Sequence, residues 1–86
     1  MKIDSVLIKE YVQESFINNY IEIRDHRNNV IVLDKGVFSF NGHEQPKTKP
    51  SIETIFLDAF KLTRHIKLDD VEYLRKGSKW YEKGLD

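Results

Sequence analysis

Cysteine is absent from this chain of 86 residues, which excludes a disulfide framework, a thiolate metal site and a cysteine nucleophile. The composition fits a reducing cytoplasm. Net charge is also missing: fourteen cations balance fourteen anions, so no overall field draws the chain to DNA, RNA or an anionic membrane. A nucleic-acid role would need that charge to be segregated. The four glycines, Gly36, Gly42, Gly77 and Gly84, are scattered, which leaves no phosphate-cradling loop and no strained elbow around Ser5, Ser15, Ser39, Ser51 or Ser78. Long apolar runs are lacking too. "MKIDSVLIKEYVQ" is interrupted by Asp4, Lys9 and Glu10, so it has no signal-peptide hydrophobic region, and no stretch approaches a membrane span. An intracellular, cytoplasmic protein is expected.

What is present is the composition of one small folded domain, 1–86. The apolar share is 40%, with five Phe, four Tyr and one Trp, enough for a core. A chain of this size buries roughly 60–65% of its unfolded surface, which allows one modest core and no deep interdomain cleft. No enzyme is expected, and no cofactor.

Leu7, Ile8, Tyr11, Val12, Ser15 and Phe16 recur at helical spacing, with Asp4 or Ser5 as cap and Asn18-Asn19 as stop. From Tyr20 the period changes to two. "YIEIRDH", "NNVIVLD" and "VFSFN" read as three antiparallel strands, with turns around Arg27-Asn28-Asn29 and Asp34-Lys35-Gly36. Asn41-Gly42 fits a further turn, but "HEQPKTKP" reads as an exposed loop. Ser51 then caps a helix whose stripe is Ile52, Ile55, Phe56, Ala59, Phe60 and Leu62. In "LDDVEY", Asp69 as N-cap puts Glu72 at the third helical position and sets Leu68 against Tyr73, which predicts a last helix. The expected fold is α+β: a three-stranded antiparallel sheet with an N-terminal helix and two C-terminal helices, in the order αβββαα. Ile21, Ile23, Ile31, Leu33, Phe38 and Phe40, or their opposite-face neighbours, are its expected core face.

The closing stretch "LRKGSKWYEKGLD" places Arg75, Lys76, Lys79 and Lys83 around Trp80 and Tyr81. Cations with aromatics suit stacking on bases and pairing with phosphates. The same residues on a helix continued through Gly77 would put Tyr73, Gly77 and Trp80 or Tyr81 on one packed face and the lysines in solvent. Packing is favoured, with Trp80 a partly exposed anchor. Arg75, Lys76, Lys79, Trp80 and Tyr81 are therefore the candidate partner-binding residues. Lys61, Arg64, His65 and Lys67 complement the end of the long helix, and with Lys47 and Lys49 could form a basic patch. His26, His43 and His65 have no zinc-motif spacing, so no metal site is expected. Asp25, Asp34, Asp69, Asp70 and Glu72 would oppose a basic groove on a nucleic-acid-binding partner if they converged on one face.

"SIETIFLDAFK", residues 51 to 61, resembles the long helix of small anti-CRISPR inhibitors that block the RNA-guided nuclease of type II systems, through Ser51, Ile52, Phe56, Ala59, Phe60 and Lys61. The resemblance implies a similar size, the order of one helix, three strands and two helices, and a phage or mobile-element origin. It carries over no functional residue, and the neutral charge departs from the strongly acidic family pattern. The expected function is a non-enzymatic inhibitor or adaptor acting on a larger host protein, such as a nucleic-acid-binding nuclease, as monomer or homodimer. The alternative is a small nucleic-acid-binding protein using Lys47, Lys49, Arg64, Lys67, Lys76 and Lys79.

Overall fold

The computed structural model describes residues 2–84. Helix α1 (Ser5–Ser15) begins where Asp4, in extended backbone, accepts a hydrogen bond from the Leu7 N–H at 2.9 Å. That bond satisfies one of the amide groups a helix start leaves free. Helix α2 (Lys49–Leu62) is capped by Thr48, whose hydroxyl accepts from the Ser51 N–H at 3.3 Å. The cap is thus one turn earlier than the expected Ser51, because Pro50 is accommodated in the first turn, where no amide hydrogen is needed.

Between and after the helices the chain forms β1 (Tyr20–Arg24), β2 (Val30–Asp34), β3 (Val37–Phe40), β4 (His43–Glu44), β5 (His65–Leu68), β6 (Val71–Lys76) and β7 (Lys79–Glu82). They make one seven-stranded antiparallel sheet in the order β4-β3-β2-β1-β5-β6-β7. The three-stranded sheet and the order αβββαα are therefore incorrect, although the α+β class, α1, α2 and the first three strands are present. Two tight turns explain the early strands: Lys35-Gly36 and Asn41-Gly42 each have positive φ at both residues, the backbone that closes a two-residue hairpin.

The expected last helix is a hairpin and a half. Asp69 does not cap a helix; it sits at φ 52 in the β5–β6 turn, its N–H donating to the Tyr20 carbonyl at 2.8 Å. Its carboxylate accepts from the Tyr20 N–H at 3.1 Å and from the Tyr11 hydroxyl. Leu68 faces Val71 across that turn instead of stapling to Tyr73. Gly77, at φ 63, turns the chain from β6 into β7. An aspartate that suits a helix cap also suits a tight turn, and here pairing with β1 favours the turn.

Both helices lie against one face of the sheet. Ile21, Ile23, Ile31, Leu33, Phe38, Ile66 and Leu68 meet Ile8, Val12, Ile52 and Phe56 in a single core, with Phe56 edge-on to Phe38 at 6.1 Å between ring centroids. Each of these side chains, when fully buried, stabilises the fold by about 1.5–3 kcal/mol. Phe40, at the rim of that face, stays partly exposed. Among the described residues, no helix lies over the opposite face.

Candidate functional site

In β6 and β7 the cross-strand pairs are Tyr73 with Glu82, Leu74 with Tyr81, Arg75 with Trp80, and Lys76 with Lys79. Paired residues share a face, and successive residues alternate. Arg75 and Trp80 therefore lie on the helix side, and Lys76, Lys79 and Tyr81 on the open side. The five candidate residues are brought into one hairpin but divided between its two faces.

Trp80 attaches β7 to the core, as Tyr73 does β6. Its indole stacks on the Phe60 ring of α2, 5.6 Å between centroids and 15° between planes. The offset-stacked arrangement adds to the area it buries. Tyr81 is 50% exposed, opposite the half-buried Leu74. Lys76 and Lys79 face each other directly and, among the described residues, neither forms an ion pair. Like charges directly opposite on a sheet are destabilising. The open side at this edge is thus an aromatic flanked by uncompensated positive charge.

Further in, the open face is charge-paired. The registers line up Glu22, Lys67, Glu72 and Lys83 across β1, β5, β6 and the end of β7. Glu72 pairs with Lys83 at 3.1 Å and with His65 at 3.5 Å. The Lys83 ammonium first, then His65, hold the Glu72 carboxyl below the usual carboxylate range. Glu22 accepts from the Tyr20 hydroxyl at 2.7 Å and pairs with Arg24 at 3.5 Å. Burial, reinforced by that hydrogen bond to Glu22, pushes the Tyr20 hydroxyl well above the ordinary tyrosine value.

The remaining candidate groups do not form one constellation. Lys61 is in the last turn of α2, whereas His65 and Lys67 belong to β5, so the basic cluster expected at one helix end is broken up. Lys49 lies over the Phe16 ring and Lys67 over Tyr20, at 5.4 and 5.7 Å from the ring centres. His26 and His65 border a cavity of about 510 Å³ beside the β1–β2 turn, and His43 is on β4 across the sheet. No group of three or more potential metal ligands occurs among the described residues. Asp34, Asp69 and Asp70 do meet, with Lys35 and Lys67 among them, but Asp25 is spent in its own turn. There it binds the Asn29 side chain and the amides of Asn29 and Arg27, which hold its carboxyl below the usual range.

Sequence reasoning missed Leu74, the Glu72–Lys83 pair and the role of Lys2 and Ile3, which with Trp80 border a groove of about 330 Å³ along β7. The signal available was alternation: Val71 and Tyr73 against Glu72, then Trp80 against Tyr81. Leu74 broke the pattern, and the capping motif outweighed it. Comparison with known proteins gives no match to a protein family, to a curated protein or to a solved structure. No helix among the described residues is long and apolar enough to cross a membrane.

Proposed function

We propose that this protein is a small non-enzymatic inhibitor or adaptor that binds a larger protein through the β6–β7 hairpin. One observation carries the reading: Tyr81 stands half exposed on the open face, beside unpaired Lys76 and Lys79, on a hairpin that Trp80 anchors to α2. A rigidly held aromatic loses little conformational freedom on binding, which is the character of an interface anchor. The resemblance of residues 51–61 to anti-CRISPR inhibitors makes a host defence protein, such as a type II RNA-guided nuclease, the first target to try. That resemblance rests on α2 alone, since the element order it implies is not the one observed.

The test is capture of partners from host-cell lysate, with and without nuclease treatment, alongside DNA cleavage by a purified type II nuclease titrated with the protein. A protein partner kept after nuclease treatment and lost on Tyr81→Ala supports the reading. Inhibition of cleavage would name the target. Recovery only in untreated lysate, with steeply salt-dependent binding, would instead favour the nucleic-acid alternative. Against that alternative, Lys67 lies between Glu22 and Glu72 in the sheet, and Lys49 covers Phe16, so the cations named for it do not line one stripe.

A further inference from the structure

The sheet has two edges of unequal kind. β4 is two residues long, too short to pair with much, whereas β7 offers Lys79–Glu82. The hydrogen bonds around the hairpin fix which backbone groups of β7 are free. The Lys83 N–H donates to the Glu72 carbonyl at 2.8 Å, and the Arg75 N–H points the other way, to the Arg64 carbonyl at 2.9 Å. In an antiparallel ladder successive residues present their backbone groups to alternate sides. Lys79, Tyr81 and Lys83 therefore bond to β6, and the N–H and C=O of Trp80 and Glu82 are directed away from the sheet.

We infer that β7 accepts an added strand from its partner, and that the strand carries acidic residues on either side of an aromatic or β-branched one, alternating with spacers. This rests on the protein-binding reading above and names the chemistry of the partner. A strand laid along β7 would set its open-face side chains opposite Lys79, Tyr81 and Lys83. Acids there would meet Lys79, together with its neighbour Lys76, at one end and Lys83 at the other. The central side chain would meet Tyr81. Cations flank Tyr81 on both sides, Lys79 unpaired and Lys83 shared with Glu72, so the acid beside Lys79 contributes more and a parallel or an antiparallel partner can supply it. The spacer beside Trp80 would pass over the groove that Lys2 and Ile3 border.

The same charges oppose a second copy. The symmetric register that would use all of residues 79–83 sets Lys79 of one chain against Lys83 of the other, a like-charge pair. Lysine on an edge strand is the common protection against self-pairing. Here it repels another β7 and attracts an acidic strand.

Glu82→Pro is the discriminating variant, since it removes an amide hydrogen that points outward and leaves the bonds to β6 in place. Glu82→Ala controls for the side chain, and thermal unfolding checks that each variant folds. Binding of a short synthetic peptide with the pattern acid, spacer, tyrosine, spacer, acid is measured by amide shifts of Trp80 and Tyr81, which every variant retains. A control peptide carries lysines in place of the acids. The expected result is binding of the acidic peptide only, weakened at least about tenfold by Glu82→Pro and little changed by Glu82→Ala. Equal binding of both peptides, no binding of either, unchanged affinity in Glu82→Pro, or a dimer of the protein alone would each overturn the inference. The same proline variant taken through lysate capture separates the two readings. A partner lost with Tyr81→Ala but kept with Glu82→Pro leaves the protein-binding function standing and removes the added strand. A partner kept by both variants removes the hairpin reading as well.

Discussion

The Trp80 indole lies flat on the Phe60 ring, joining the last strand of the sheet to the longer helix. The stack ties β7 to a helix in addition to its ladder to β6. Trp80→Ala is expected to cost about 2 kcal/mol, below the roughly 3–5 kcal/mol of a fully buried aromatic, because Trp80 is only half-buried. Denaturant unfolding measures it, and Trp80→Phe should recover most of the loss.

Tyr81 should behave in the opposite way. It is half exposed and on the far side of the sheet from the core. Tyr81→Ala is expected to change stability by under about 1 kcal/mol while weakening partner binding by at least about tenfold. Equal losses in both measurements would make it a packing residue.

Two glycines in equivalent turns should respond differently to alanine. At Gly36, φ is +89° and an added Cβ would meet the Phe16 carbonyl oxygen at 2.9 Å, because the β2–β3 turn is tucked under the end of α1 with the Gly36 N–H bonded to Ser15. At Gly42, φ is +83° and the same Cβ would find open space. Gly42→Ala is expected to cost about 1 kcal/mol from backbone conformation alone, and Gly36→Ala about 3 kcal/mol from conformation plus the clash. Paired chemical denaturation curves test the difference.

Acid should weaken the fold through Asp25 and Glu72. The Asn29 side chain depresses the Asp25 carboxyl, and Lys83 followed by His65 depresses that of Glu72. A carboxyl with a lowered folded-state pKa contributes stability above its unfolded value, and that contribution is lost as pH falls through the folded value. The double variant Asp25→Asn with Glu72→Gln should therefore melt lower than the parent at neutral pH. As pH falls below about 4 the difference should begin to narrow, closing only below the lowered folded-state values of the two carboxyls.

Much of the first half of the molecule is legible in its residues. Ile21 and Ile23 alternate with polar neighbours, Val30 to Leu33 form a short β-branched-rich apolar run between two turns, and Asn41-Gly42 is a turn in sequence as in structure. The second half misleads for a physical reason. Asp69-Asp70 followed by Glu72 satisfies the local rules for a helix start, and only the distant amide of Tyr20 and hydroxyl of Tyr11 turn Asp69 into a hairpin residue. Those partners are far away in sequence and close only once β5 lies beside β1. The candidate site was readable as a cluster of residues, since all five fall in one hairpin. Its division into a packed face and an exposed one needed the register of β6 and β7.

The strand order also bears on how the chain folds. β1 is bracketed by β2, which follows it at once, and by β5, which returns only after β3, β4 and α2. The hairpins on either side form from local contacts, but the Ile21–Leu68 and Ile23–Ile66 seam must close a long loop. That closure is the expected slow step, and with it the two meanders become one sheet. Shortening Ile66 should then slow refolding, whereas Trp80→Ala, acting on the outermost strand, should mainly hasten unfolding; the two arms of a chevron plot separate these effects.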